Sequence, residues 1–182
     1  KLNSQALNDF DKLMGYHLDK VEELEIDELF TNSKLYNIVS LCTNIKSLTI
    51  GGDLRTDVNK IIFNICKPEK IETLILNSVK LPTNKEFSKF TNLRTISLNN
   101  ITFSDLSGFF NKISNKNEVH ALNLTNVDFG KKPFSLCKIF SNLRYFNVNN
   151  LKNCVFDDFN FINNNSKMLR FEFKNNTIKL NH

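Results

Sequence analysis

The chain repeats itself. The stretches LRTISLNNITF from Leu93, VHALNLTNVDF from Val119 and LRYFNVNNLKN from Leu143 share one apolar pattern. A repeat of fixed period constrains a fold more than any other single feature of a sequence. Earlier copies open at Val21, Ile45 and Ile71, and a worn seventh, MLRFEFKNNTI, opens at Met168. Successive copies start 24, 26, 22, 26, 24 and 25 residues apart. With each start taken as position 1, apolar residues fall at positions 1, 4 and 6 in every copy and at 9 and 11 in most. The clearest copy shows Val119, Leu122, Leu124, Val127 and Phe129 there. Polar residues at 3, 5 and 7 alternate with positions 4 and 6, which predicts a half-buried strand.

Between strands lie variable stretches, several with helical spacing. DVNKIIFNICK sets Val58, Ile61, Ile62 and Ile65 on one side, and SDLSGFFNKIS does the same with Leu106, Phe109, Phe110 and Ile113. Ser104 or Asp105 is placed to cap the second. The segment from Lys85 to Asn92 has room for one or two turns. A single strand-plus-helix unit cannot bury its apolar face alone, whereas stacked units share one core. The crossover between strands makes neighbours parallel. Seven strands at ~4.8 Å make a stack roughly 30 Å long, with Leu98 and Leu124 buried inside it.

These residues resemble the leucine-rich repeat family, from about Val21 to Ile178, because the LxxLxL core recurs at constant offsets. The resemblance implies an α/β solenoid, with parallel strands on the concave face and helices or short turns on the convex face. Its helical convex stretches look like the ribonuclease-inhibitor-like and F-box-associated branches, although no F-box sequence is visible. Position 9 departs from the family pattern of Asn or Cys and holds Val79, Ile101, Val127 and Leu151. That departure predicts coils held more by packing than by a polar ladder.

The expected organisation is one repeat domain, residues 21–182 with about seven repeats, preceded by residues 1–20. Ala6, Leu7, Phe10, Leu13, Met14 and Leu18 there read as an amphipathic helix, either a cap or part of an earlier repeat. The chain opens on Lys1 and not on Met, so the lack of a signal peptide says little about secretion. No apolar run approaches the ~18 residues of a membrane span, and no membrane partner is expected. Asn is abundant, with 29 copies, and reads as compositional bias. Four Asn-x-Ser/Thr triplets are what that abundance produces by chance.

Charge is uneven. Residues 1–91 carry 12 basic and 13 acidic side chains, and residues 92–182 carry 12 and 6. The basic residues are scattered, unlike the dense stripe of a nucleic-acid binder, so no nucleic-acid partner is expected. Cys42, Cys66, Cys137 and Cys154 form no CxxC pair. The first three lie in apolar stretches and read as small buried hydrophobes without disulfides, which fits a cytoplasmic location.

Nothing reads as an active site, and the expectation is a non-enzymatic chain without cofactor or metal. His17, His120 and His182 are far apart, and the strands beside His120 offer Arg94 and Arg144 rather than a carboxylate or nucleophile. The GGD at Gly51 is too short to cradle phosphate. The early acids (Asp19, Glu22, Glu23, Glu25, Asp27, Glu28) and the pair Asp157–Asp158 read as solvated.

What remains is a surface. Strand positions 2, 3, 5 and 7 face out, grading from acidic at the first strand to basic at the sixth. Column 2 reads Glu22, Lys46, Glu72, Arg94, His120, Arg144, and Tyr145 stands beside Arg144. Tyr and Arg are enriched at binding hot spots, and Ile75 adds an apolar side chain. The expected function is a monomer binding a protein partner through the concave face with Arg94, His120, Asn123, Arg144, Tyr145 and Asn147. The alternative is a structural or substrate-recognition fragment of a larger receptor, adaptor or ubiquitin-ligase subunit whose activity lies elsewhere.

Overall fold

A computed structural model describes residues 17–27, 33–52, 58–81, 85–101, 106–129, 139–152 and 167–175. Seven strands form one parallel sheet in chain order: β1 (Glu23–Ile26), β2 (Ser47–Ile50), β3 (Thr73–Asn77), β4 (Thr95–Asn99), β5 (Ala121–Thr125), β6 (Tyr145–Asn149) and β7 (Arg170–Lys174). Each strand starts at position 3 of its unit, and position 3 pairs with position 3 at all six junctions, from Glu23 with Ser47 to Tyr145 with Arg170. The sequence register therefore holds along the whole sheet, including the worn seventh copy.

Among the described residues, three α-helices lie in the crossovers: α1 (Ser33–Leu41), α2 (Val58–Phe63) and α3 (Leu106–Asn111). Their apolar sides are buried as the spacing requires, at Val58, Ile61 and Ile62 in α2 and at Leu106, Phe109 and Phe110 in α3. The short crossover closes with a 3-10 helix, Lys85–Lys89. The caps expected at Ser104 or Asp105 fall outside the described residues. So does the expected N-terminal helix, apart from its last two residues, and Leu18–Lys20 form a 3-10 turn.

Apolar columns 1, 4, 6 and 9 make the core. Leu98 and Leu124 are fully buried. Across the crossover side, Phe87, Phe90, Phe109, Phe110 and Phe140 form a chain of touching rings, with centroids 4.8 to 5.2 Å apart. The last strand differs. Phe171 at position 4 is 41% exposed, where the same column in the six earlier strands is buried.

Position 9 is buried at Val79, Ile101, Val127 and Leu151, as the packing expectation requires, and a polar device stands beside it. The units are joined by polar ladders at both ends of the strands. At position 8, one residue before the apolar position 9, Ser78, Asn100, Asn126, Asn150 and Asn175 all have φ between 53° and 55°. Asn tolerates this left-handed region better than most residues, since its short polar side chain can bond locally. Gly52, the second glycine of GGD, occupies the same position with φ 144°. At each of four turns the position-8 N–H donates to the position-7 carbonyl of the next unit, as Asn126 N does to Asn149 O at 2.9 Å. The side chains continue the ladder: Asn126 Nδ2 donates to Asn100 Oδ1 at 2.8 Å, and Asn150 Nδ2 to Asn126 Oδ1 at 2.7 Å. At the other strand end, the Asn before position 1 donates to a carbonyl of the preceding unit. Asn44 reaches Asp19 O at 2.6 Å, Asn92 reaches Glu69 O at 2.7 Å and Asn142 reaches Asn117 O at 3.0 Å. Seven of the 29 asparagines thus hold specific turn positions, beside whatever compositional bias the chain carries.

Among the described residues Cys42 and Cys66 are free thiols; Cys137 and Cys154 lie outside them. Cys42 is buried as expected, and burial pushes its thiol up to about 11. Cys66 is exposed, contrary to expectation, because Ile65 takes the buried place at that turn. Iodoacetamide at about pH 8 should therefore alkylate Cys66 in the native protein and spare Cys42 until the chain is unfolded. Peptide mass mapping checks this, and equal labelling of both would contradict the burial. No helix among the described residues is long and apolar enough to cross a membrane.

Candidate functional site

The sheet face opposite the apolar columns carries positions 3, 5 and 7, which strand alternation sends away from the core. Position 2 should by parity follow 4 and 6 inward, yet it stays out. Its backbone explains why. Both Lys46 N and Ser47 N donate to Glu22 O, and both Glu72 N and Thr73 N to Lys46 O. The arrangement recurs along the sheet, up to Leu169 N and Arg170 N on Arg144 O. Two successive amides converging on one carbonyl break the period-two alternation, as in a bulge. Position 2 becomes a second outward column, and rung after rung it forms a straight row.

That row has two halves. In the first, Lys46 Nζ donates to Glu22 Oε1 at 2.7 Å, and this hydrogen bond, with the charges of Glu22 and then Glu72, holds the Lys46 ammonium above the usual lysine range. Two carboxylates there face one ammonium, so this half stays net acidic. In the second half stand Arg94, His120 and Arg144. His120 N donates to Arg94 O at 2.8 Å and Arg144 N to His120 O at 2.8 Å, so the three are consecutive rungs. Arg94 and Arg144 are exposed and His120 is half-buried. Among the described residues none of these three side chains makes a hydrogen bond or ion pair.

Next to the row, Tyr145 is 46% exposed and opens a hollow lined also by Asn123, Phe146, Asn147, Arg170 and Glu172. Asn147 and Tyr145 make no side-chain hydrogen bond among the described residues. Asn123 is partly committed, since its Nδ2 donates to Ser97 Oγ at 3.0 Å. Glu172 is gripped by Arg170, whose Nε donates at 2.9 Å, and faces Lys174 at 3.5 Å. The hydrogen bond from Arg170 holds the Glu172 carboxyl below the usual carboxylate range, and the charges of Arg170 and Lys174 add to it.

The structure therefore brings all six expected site residues to one face and gathers Asn123, Tyr145 and Asn147 around a single hollow. It adds Arg170 and Glu172, which sequence reasoning missed by stopping the outward columns at the sixth unit. The seventh copy, read at positions 3 and 5, would have given both. Ile75 is half-buried rather than exposed. No group of three or more His, Cys, Asp or Glu among the described residues is arranged to hold a metal ion. No protein-family model matches the chain, and no curated protein shows a significant sequence match to it.

Proposed function

We propose that this chain is a leucine-rich repeat solenoid, and that it is a non-enzymatic module binding a protein partner through its open, concave sheet face. Support for the solenoid comes from the unbroken register, one strand per unit of 22 to 26 residues, and the ladders at both strand ends. The binding reading is carried by one observation. Arg94, His120 and Arg144 form a row whose side chains satisfy nothing within the described protein, with Tyr145 exposed beside them. A basic row next to a partly exposed aromatic ring suits an acidic protein surface and repels a basic one. The neighbours of His120 in that row are arginines, which gives it no partner for acid–base catalysis. The free thiols fit a cytoplasmic setting.

The test is the double variant Arg144→Glu, Tyr145→Ala. It should melt like the parent, since exposed substitutions usually fall within ~0.5 kcal/mol. It should also lose the partner that the parent retains from the source cell. A folded double variant that retained the partner at parental strength would place the binding surface elsewhere.

A further inference from the structure

We infer that the partner presents an acidic α-helix, laid along the row from β1 towards β6, with carboxylates at i, i+3 or i+4, and i+7 over Arg94, His120 and Arg144. This rests on the open-face reading above and narrows it from a charge to a shape. Neighbouring strands are ~4.8 Å apart, so three consecutive rungs span about 10 Å. Residues i, i+3 or i+4, and i+7 of a helix share one face and rise through roughly 4.5–6 Å and then 10.5 Å. An extended segment repeats a face every ~6.8 Å and overshoots the third rung by about 3–4 Å. The groove agrees. Column 3 beside the row holds the short side chains Thr73, Thr95 and Ala121 before rising to Tyr145, so a cylinder can lie close to the sheet until the ring stops it.

Polarity follows from the charge gradient of the face. A helix carries partial positive charge at its N-terminus and partial negative charge at its C-terminus, and a strand has no comparable dipole. Glu22, Glu23 and Glu25 lie at the β1 end, and Arg144 and Arg170 at the β6–β7 end. The bound helix therefore runs with its N-terminus over β1 and its C-terminus, with the carboxylates, over β6. Five strand steps cover ~24 Å, or about 16 helical residues.

Three fluorescent 18-residue peptides of equal length and equal net charge test this against the 182-residue chain by anisotropy at low salt. The first is helical with Glu at i, i+3 and i+7 in its C-terminal half. The second is helical with the Glu residues spread around the cylinder. The third keeps the Glu spacing of an extended face and carries prolines that forbid a helix. The first should bind about tenfold or more tightly than either of the others, and Arg144→Glu or Arg94→Glu should abolish that advantage. If the third binds as well as the first and both weaken with Arg144→Glu, the helix is overturned while the open-face reading stands. If no peptide binds, or binding ignores both charge reversals, the open-face reading falls with it. A single-stranded oligonucleotide that outcompeted the first peptide would also overturn the proposal.

Discussion

Replacing Phe110 with alanine should remove about 3–5 kcal/mol of stability, the usual range for a buried phenylalanine. Phe110 is fully buried on α3 and bridges Phe109 to Phe140 in the ring chain. It meets Phe109 at 5.2 Å with the planes 60° apart, and Phe140 of the next crossover at 5.2 Å, nearly edge to face at 87°. Those orientations put ring edges against ring faces and add to simple area burial. The ring also joins one crossover to the next, through Phe140, so its removal opens a gap at a junction between units. Domain stabilities are typically 5–15 kcal/mol, so the loss is a large share of the whole. Phe63→Ala is the control. That ring is 69% exposed on α2, and its loss should leave the urea midpoint nearly unchanged. Comparable midpoints for the two variants would mean that the crossover side is not the core described above.

The same contrast shows what could be read from sequence. The apolar columns predicted strand register at every junction, because strand alternation and core burial both act on side-chain type. The helix faces of α2 and α3 followed for the same reason. What escaped was decided by the backbone. The convergence of two amides on one carbonyl at position 2 has no residue signature, since Glu, Lys, Arg, His and Leu all occupy that place. The left-handed turn at position 8 does have one, namely Gly, Ser and four Asn in register. Asparagine is frequent throughout the chain, which hides that signature in its background. Cys66 failed differently. An apolar neighbourhood predicts burial on average, yet at a turn only one of two adjacent apolar side chains can face in, and Ile65 does. Arg170 and Glu172 were lost because a degraded repeat was counted in the fold but not in the surface.

Position 8 gives the second large effect. Asn126→Ala should destabilise by about 2–3 kcal/mol, although the side chain is exposed. Two causes act together. An alanine held at φ 53° meets the left-handed steric penalty of roughly 1–2 kcal/mol, which asparagine partly escapes through local polar contacts. The change also removes two rungs of the amide ladder, the bond from Asn126 Nδ2 to Asn100 Oδ1 and the one it accepts from Asn150 Nδ2. Exposure to water keeps each of these at or below the ~0.5–1.5 kcal/mol of an ordinary hydrogen bond. Asn126→Gly separates the causes, since glycine adopts positive φ freely and loses only the ladder. Stability should fall in the order Asn, Gly, Ala, with the alanine variant melting about 5–10 °C below the parent for a chain of this size. Alanine no worse than glycine would mean that the backbone at Asn126 is not held in the left-handed region. Glycine equal to the parent would mean that the ladder adds nothing and that packing alone joins the units.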